Sequence, residues 1–179
     1  MKSLKPAAVS AVAASALLLA GCSAGQITQT ADQVAAVDGA AAATNDNEIL
    51  VQDVTVILGD AGQAALKFTA INQNIHRQPH SLESVTVDGV PVQLSGATQF
   101  DASCNLVGDS ATALESIPQA ESDCISYVAT SLPNNDFAFA GNLPVEFTFD
   151  AGTIDVTATV SAPRLQSGEA MRDEAQPTH

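Results

Sequence analysis

Apolar and polar residues alternate along two neighbouring stretches late in the chain. Val145, Phe147 and Phe149 interleave with Glu146, Thr148 and Asp150, and Ile154, Val156, Ala158 and Val160 interleave with Asp155, Thr157, Thr159 and Ser161. A period of two puts each apolar set on one face of an extended strand. Asp150-Ala151-Gly152 between them has turn chemistry, so the two strands are expected to pair as a hairpin. Val85 and Val87, then Asp88-Gly89, then Val90 and Val92 spell a second hairpin, because Asp-Gly accepts the positive φ of a tight I′ turn. Further strands are expected at Ile49–Leu58, Ala64–Asn72 and Ile125–Ser131. No long amphipathic helical pattern competes with them. About seven short strands with turn signals at close intervals predict an all-β domain, an antiparallel Greek-key β-sandwich of the Ig-like kind. It is expected over residues 48–162.

The flanks read differently. Lys2 and Lys5 precede an apolar stretch from Ala7 to Ala20 that ends in small residues, the order of a secretory signal peptide. The stretch is too short to span a bilayer, which takes roughly twenty residues, so removal of residues 1–21 is expected. Leu19-Ala20-Gly21-Cys22 has the pattern of a bacterial lipobox, in which the cysteine thiol receives a diacylglycerol and becomes the first mature residue. Acyl chains on Cys22 would anchor the protein to the extracytoplasmic face of the cell membrane, with about 0.8 kcal/mol from each buried CH₂. Residues 22–47, rich in Ala, Gln, Thr and Asp, are expected to form the lipidated cysteine and a flexible tether, with local helix at Asp32–Ala43. Residues 163–179 read as a disordered polar tail.

Composition narrows the classes. Of 179 residues 46% are hydrophobic but only 4% aromatic, and there is no Trp, so the core is modest. The formal net charge is −14, and loss of Lys2 and Lys5 with the leader would leave four basic against twenty acidic residues. Nucleic acid, whose phosphates need a cationic surface, is excluded as a partner. A polybasic membrane patch is excluded on the same ground.

With Cys22 assigned to lipid, Cys104 and Cys124 form an even pair in an oxidising compartment and are expected to be disulfide-bonded. In the chain-entropy treatment, closing a loop of their spacing contributes about 3 kcal/mol. The competing thiol metal site lacks CxxC spacing and neighbouring His. Catalytic signatures are missing: there is no GxSxG elbow, P-loop, dinucleotide fingerprint or HExxH. Asp46-Asn47-Glu48 and Asn134-Asn135-Asp136 are too short for a calcium loop and read as solvated surface. His76 and His80 are the candidate metal ligands. Pro79 argues against a helix that would put both imidazoles on one face, but from a loop they could converge on Cu or Zn. The alternative is two exposed loop histidines.

The mature start Ser23-Ala24-Gly25-Gln26-Ile27-Thr28-Gln29-Thr30-Ala31-Asp32 behind the lipobox resembles the LpqE-like lipoproteins of actinobacteria. Ala70-Ile71-Asn72-Gln73, Ser84-Val85-Thr86-Val87, Phe147-Thr148-Phe149-Asp150-Ala151-Gly152 and Val156–Val160 extend the resemblance over most of residues 20–162. That family is distantly similar to periplasmic copper chaperones of the PCu(A)C type, which implies a cupredoxin-like sandwich and Cu(I) binding through His and Met. The present chain departs at the ligands, since its methionines are Met1 in the leader and Met171 in the tail. The expected function is therefore a membrane-anchored, non-catalytic lipoprotein whose β-domain binds an envelope protein or small ligand, with no resident cofactor. The alternative is a copper-handling metallochaperone with a degenerate site.

Overall fold

A computed structural model of the chain describes residues 39–59, 63–119 and 123–162. The expected leader, Cys22 and the tail at 163–179 lie outside the described residues. The chain order is β1 (Ala40–Ala43), β2 (Ile49–Leu58), β3 (Gln63–Asn72), β4 (His80–Val87), β5 (Val90–Pro91), β6 (Gln93–Gly96), β7 (Gln99–Phe100), β8 (Asn105–Asp109), a short helix α1 (Ala111–Ser116), β9 (Ile125–Pro133), β10 (Asn142–Phe149) and β11 (Gly152–Ser161). The all-β expectation holds. Both expected hairpins form: β10 pairs with β11 from Asn142↔Thr159 to Phe149↔Gly152, and β4 pairs with β5 across Asp88 and Gly89, which both take positive φ (50° and 74°).

Hydrogen bonds run through one eleven-stranded sheet in the order β5-β4-β10-β11-β2-β3-β8-β9-β6. Its two margins are held by almost the same piece of chain. β5 pairs with β4 and β6 pairs with β9, and only Val92 separates them. Val92 N–H donates to Val85 O at 2.9 Å, so residues 90–96 bring the margins together and the sheet is nearly closed, like a barrel. Most pairs are antiparallel, whereas β11–β2 and β8–β9 are parallel.

Two strands change partners part-way along. The first half of β2 is flanked by β1 (Ala40↔Val54, Ala42↔Val51, Ala43↔Leu50) and its second half by β11 (Thr55 to Ile57). The exchange falls at a bulge, where Asp53 takes φ 56° and the register with β3 skips between Gln52 and Thr55; the Asp53 carboxylate is ion-paired to Lys67. At Ala40–Ala43 a strand stands where tether and local helix were expected, the rest of the expected tether and helix, residues 23–38, lying outside the described residues; four alanines carry no alternation, and the margin left free on β2 draws them into extended pairing. Ala40–Ala43, ahead of residue 48, thus pairs with the sheet.

β3 is shared in the same way, by β9 at Gln63 and Ala64 and by β8 from Phe68 to Ile71. Between these ladders, Leu66 N–H donates to Thr130 Oγ1 at 3.0 Å, and the Thr130 hydroxyl donates to Leu66 O at 2.8 Å. One hydroxyl thus replaces a missing strand. The core fills the interior with β-branched residues and a run of phenylalanines: Phe68 meets Phe147 edge-on at 5.1 Å, Phe147 stacks on Phe149, and Phe149 meets Phe100 edge-on at 6.2 Å. Such edge-on pairs contribute about 0.5–1.5 kcal/mol beyond the area they bury.

Thr130→Val keeps the shape but strips Leu66 of both partners in a site only 3% exposed. Stability is expected to fall by about 1–3 kcal/mol, read from the urea midpoint, and to be largely kept in Thr130→Ser. Equal midpoints for Thr130→Val and wild type would refute this role.

Candidate functional site at the histidine end of the sheet

Three connections meet where β2 begins and β3 and β10 end: the β1–β2 turn, the β3–β4 loop and the β10–β11 turn. Their polar residues form one connected network. In the β1–β2 turn Thr44 Oγ1 donates to Asp46 Oδ1 at 2.6 Å, and the same oxygen accepts from Glu48 N–H at 3.1 Å. These two bonds, the Thr44 hydroxyl first, hold the Asp46 carboxyl below the ordinary aspartate range. Asp46 and Asn47 are exposed, as expected of solvated surface, and these bonds order the turn.

The β3–β4 loop is organised by two asparagines that sequence reasoning passed over. Asn72 is 1% exposed; its Nδ2 donates to Gln78 O at 2.8 Å and its Oδ1 accepts from Asn74 N–H at 3.0 Å. Asn74 Oδ1 in turn accepts from His76 N–H at 2.7 Å. A backbone N–H can only donate, so the Asn74 amide has one allowed orientation, with Nδ2 facing His80 Nε2 at 3.2 Å. Nε2 must then accept, and the network assigns His80 the tautomer whose Nδ1–H donates to Asp150 Oδ1, 3.1 Å away. That same oxygen accepts from Ser81 N–H at 3.0 Å, which ties the β10–β11 turn to the start of β4. Glu48 Oε2 lies 3.6 Å from Nε2.

The two candidate histidines therefore part company. His76 is exposed, as a loop histidine would be. His80 is only 7% exposed and is the first residue of β4, with both ring nitrogens in hydrogen bonds. Among the described residues no group of three or more His, Cys, Asp or Glu is placed to hold a metal ion. Cys104 and Cys124 are joined, with sulfurs 2.04 Å apart. Their bond closes the crossover between the parallel strands β8 and β9, where Asn105 N–H also donates to Cys124 O. Among the described residues no helix is long and apolar enough to cross a membrane.

A second feature lies on the outer face of β4, β10 and β11. Thr86, Gly89, Pro144, Val145, Glu146, Asp155, Val156 and Thr157 line a shallow, open groove of about 380 Å³. No family model matches the chain, and no curated protein matches it significantly.

Two outcomes are expected. Because the folded Asp46 titrates below its unfolded value, its contribution is present above the unfolded value and drains as pH falls through the folded one. The gap in urea midpoint between wild type and Asp46→Ala should be constant above about pH 5 and shrink below the ordinary aspartate value of about 3.9. For His80, ring ¹⁵N shifts at about pH 8, where imidazole is ordinarily neutral, should show a protonated Nδ1 and a bare Nε2; the opposite pattern would overturn the assignment.

Proposed function

We propose that the protein is a membrane-anchored extracytoplasmic lipoprotein whose β-domain is a non-catalytic binding module. The anchor rests on the leader and the Leu19–Cys22 motif. The observation that carries the binding reading is the state of His80: its Nδ1 serves Asp150 and its Nε2 serves Asn74, so the buried histidine acts as a brace between connections. A general base would present that nitrogen to a substrate or nucleophile. The disulfide supports exposure to an oxidising compartment. The Greek-key, cupredoxin-like sandwich and the LpqE-like kinship belong to this proposal, the nearly closed sheet being read as a rounded form of that sandwich. The copper-handling alternative would need the His80 lone pair that Asn74 occupies.

Cross-linking of intact cells tests both halves. The wild-type chain should sediment with membranes, carry lipid on Cys22 and become joined to a second protein, whereas Cys22→Ala should leave the membrane fraction and lose that product. Retention of Cys22→Ala in the membrane refutes the anchor. Recovery of wild type only as an uncross-linked chain refutes binding.

A further inference from the structure

The turn inside the β3–β4 loop centres on one side chain. Asn74 is buried; its Oδ1 accepts from His76 N–H at 2.7 Å, its main-chain O accepts from Arg77 N–H at 3.2 Å, and its Nδ2 donates to His80 Nε2. Arg77 takes φ 61°, in the left-handed region that a residue with a Cβ enters at a cost. The shape of residues 74–77 therefore depends on Asn74 staying where His80 holds it. That turn carries Ile75, 86% exposed, with His76 and Arg77 exposed beside it.

The bond from Asn74 to His80 exists only while Nε2 is bare. A second proton on the ring makes Nε2 a donor facing an amide nitrogen that also donates, and the contact at 3.2 Å turns repulsive. Turning the Asn74 amide over would give Nε2–H an oxygen but would set an N–H₂ group against His76 N–H. A better acceptor already stands at 3.6 Å: Glu48 Oε2. Glu48 is also joined to the loop through its main-chain O, which accepts from Gln73 N–H at 2.7 Å. The other groups around the ring do not compete for Nε2. Asp150 Oδ1 faces Nδ1 and keeps its bond in either state. Asp46 is held first by the Thr44 hydroxyl and reaches the ring through its charge. On β7 the residue opposite His80 is Phe100, which is apolar, and Asp101 follows it.

We propose that His80, Asn74 and Glu48 form a pH-operated latch: when His80 gains its second proton, Nε2 stops accepting from Asn74 and donates to Glu48, and the turn at 74–77 is released. The two N–H groups of the charged ring then each have a carboxylate, Asp150 and Glu48, in a site only 7% exposed where an unpaired charge would be costly. The change is local, because Asp150 still ties the β10–β11 turn to Ser81 at the start of β4. At neutral pH the domain presents Ile75 and Arg77 in one fixed arrangement; in acid it presents them on a loosened turn. The latch rests on the tautomer of His80, and the extracytoplasmic reading adds only its input, the pH outside the membrane.

The test titrates the ¹⁵N-labelled full chain, in a neutral detergent, from about pH 8 to about pH 5, the span in which imidazole ordinarily changes charge. His80 Nε2 should pass from a bare to a protonated shift, and the Asn74 side-chain amide should move with the same midpoint. Over that span the protection of His76 N–H against exchange, corrected for the intrinsic rate, should fall about tenfold, while amides of β4 and β10 keep theirs. Glu48→Ala removes the waiting acceptor and should move the transition to lower pH. His76→Gln, which removes the exposed imidazole of the same loop, should leave it in place. Dispersed amide shifts of β10 and β11 show that each variant folds, and the wild-type titration decides without them. Ring protonation with the Asn74 amide unmoved, a loop response lost in His76→Gln, an unmoved transition in Glu48→Ala, or a ring still neutral at the acid end would each overturn the latch. The reverse tautomer at pH 8 would overturn it too, whereas failure to find a partner by cross-linking would overturn the binding reading and leave the latch standing.

Discussion

Every backbone donor and acceptor inside a nearly closed sheet needs a partner, and in this domain that requirement is hardest to meet where strands change neighbours. β2 passes from β1 to β11, β3 passes from β9 to β8, and residues 90–96 pass from β4 to β9. At each exchange a regular ladder would leave main-chain groups stranded in an apolar interior, where each costs on the order of 1–3 kcal/mol. The chain meets each case with a different device: a bulge at Asp53 braced by Lys67, a hydroxyl from Thr130 in place of a strand, and a bend at Val92 beside a proline that has no N–H to satisfy. No buried side-chain nitrogen or oxygen among the described residues lacks a partner.

The histidine end obeys the same rule with side chains in place of ladders. Loops carry main-chain groups with no strand to receive them, and Asn72, Asn74 and Asp150 receive several of those groups there. Once their amide and carboxylate atoms are so committed, the orientation of His80 follows. A residue type usually read as a candidate for chemistry is thereby made structural, linking loops that would otherwise meet only through water.

What was legible in the sequence follows from which residues bury one face. β10, β11 and the β4–β5 turn announced themselves because Val145, Phe147, Phe149, Val85 and Val87 are all buried and their neighbours largely are not. β2 was delimited correctly at Ile49–Leu58 and β3 to within one residue. β1 was invisible: an alanine run has helix propensity and no period, and only the free margin of β2 makes it extended. β6, β7 and β8 are too short for a period to register. His80 stands out in the sequence by its spacing from His76, but its partner Asp150 is brought to it by the pairing of β4 with β10, a distance that local spacing does not encode. The Asn72-Gln73-Asn74 run just after a strand was the available signal, since asparagine there commonly bonds a backbone N–H two residues on.

The outer face of the β10–β11 hairpin carries charge that works against its stability. A sheet face turned to water is stable with threonine pairs, and Thr148↔Thr153 shows that this hairpin uses one next to the groove. Glu146↔Asp155 in the adjacent row is a less stable choice, because two like charges stand directly opposite each other. Such a pair weakens the domain slightly, and the rest of the hairpin compensates through its buried face. The hairpin can carry that pair because its register is even and its inward row of Val145, Phe147 and Phe149 is buried, so the ladder holds although its outer face contributes little.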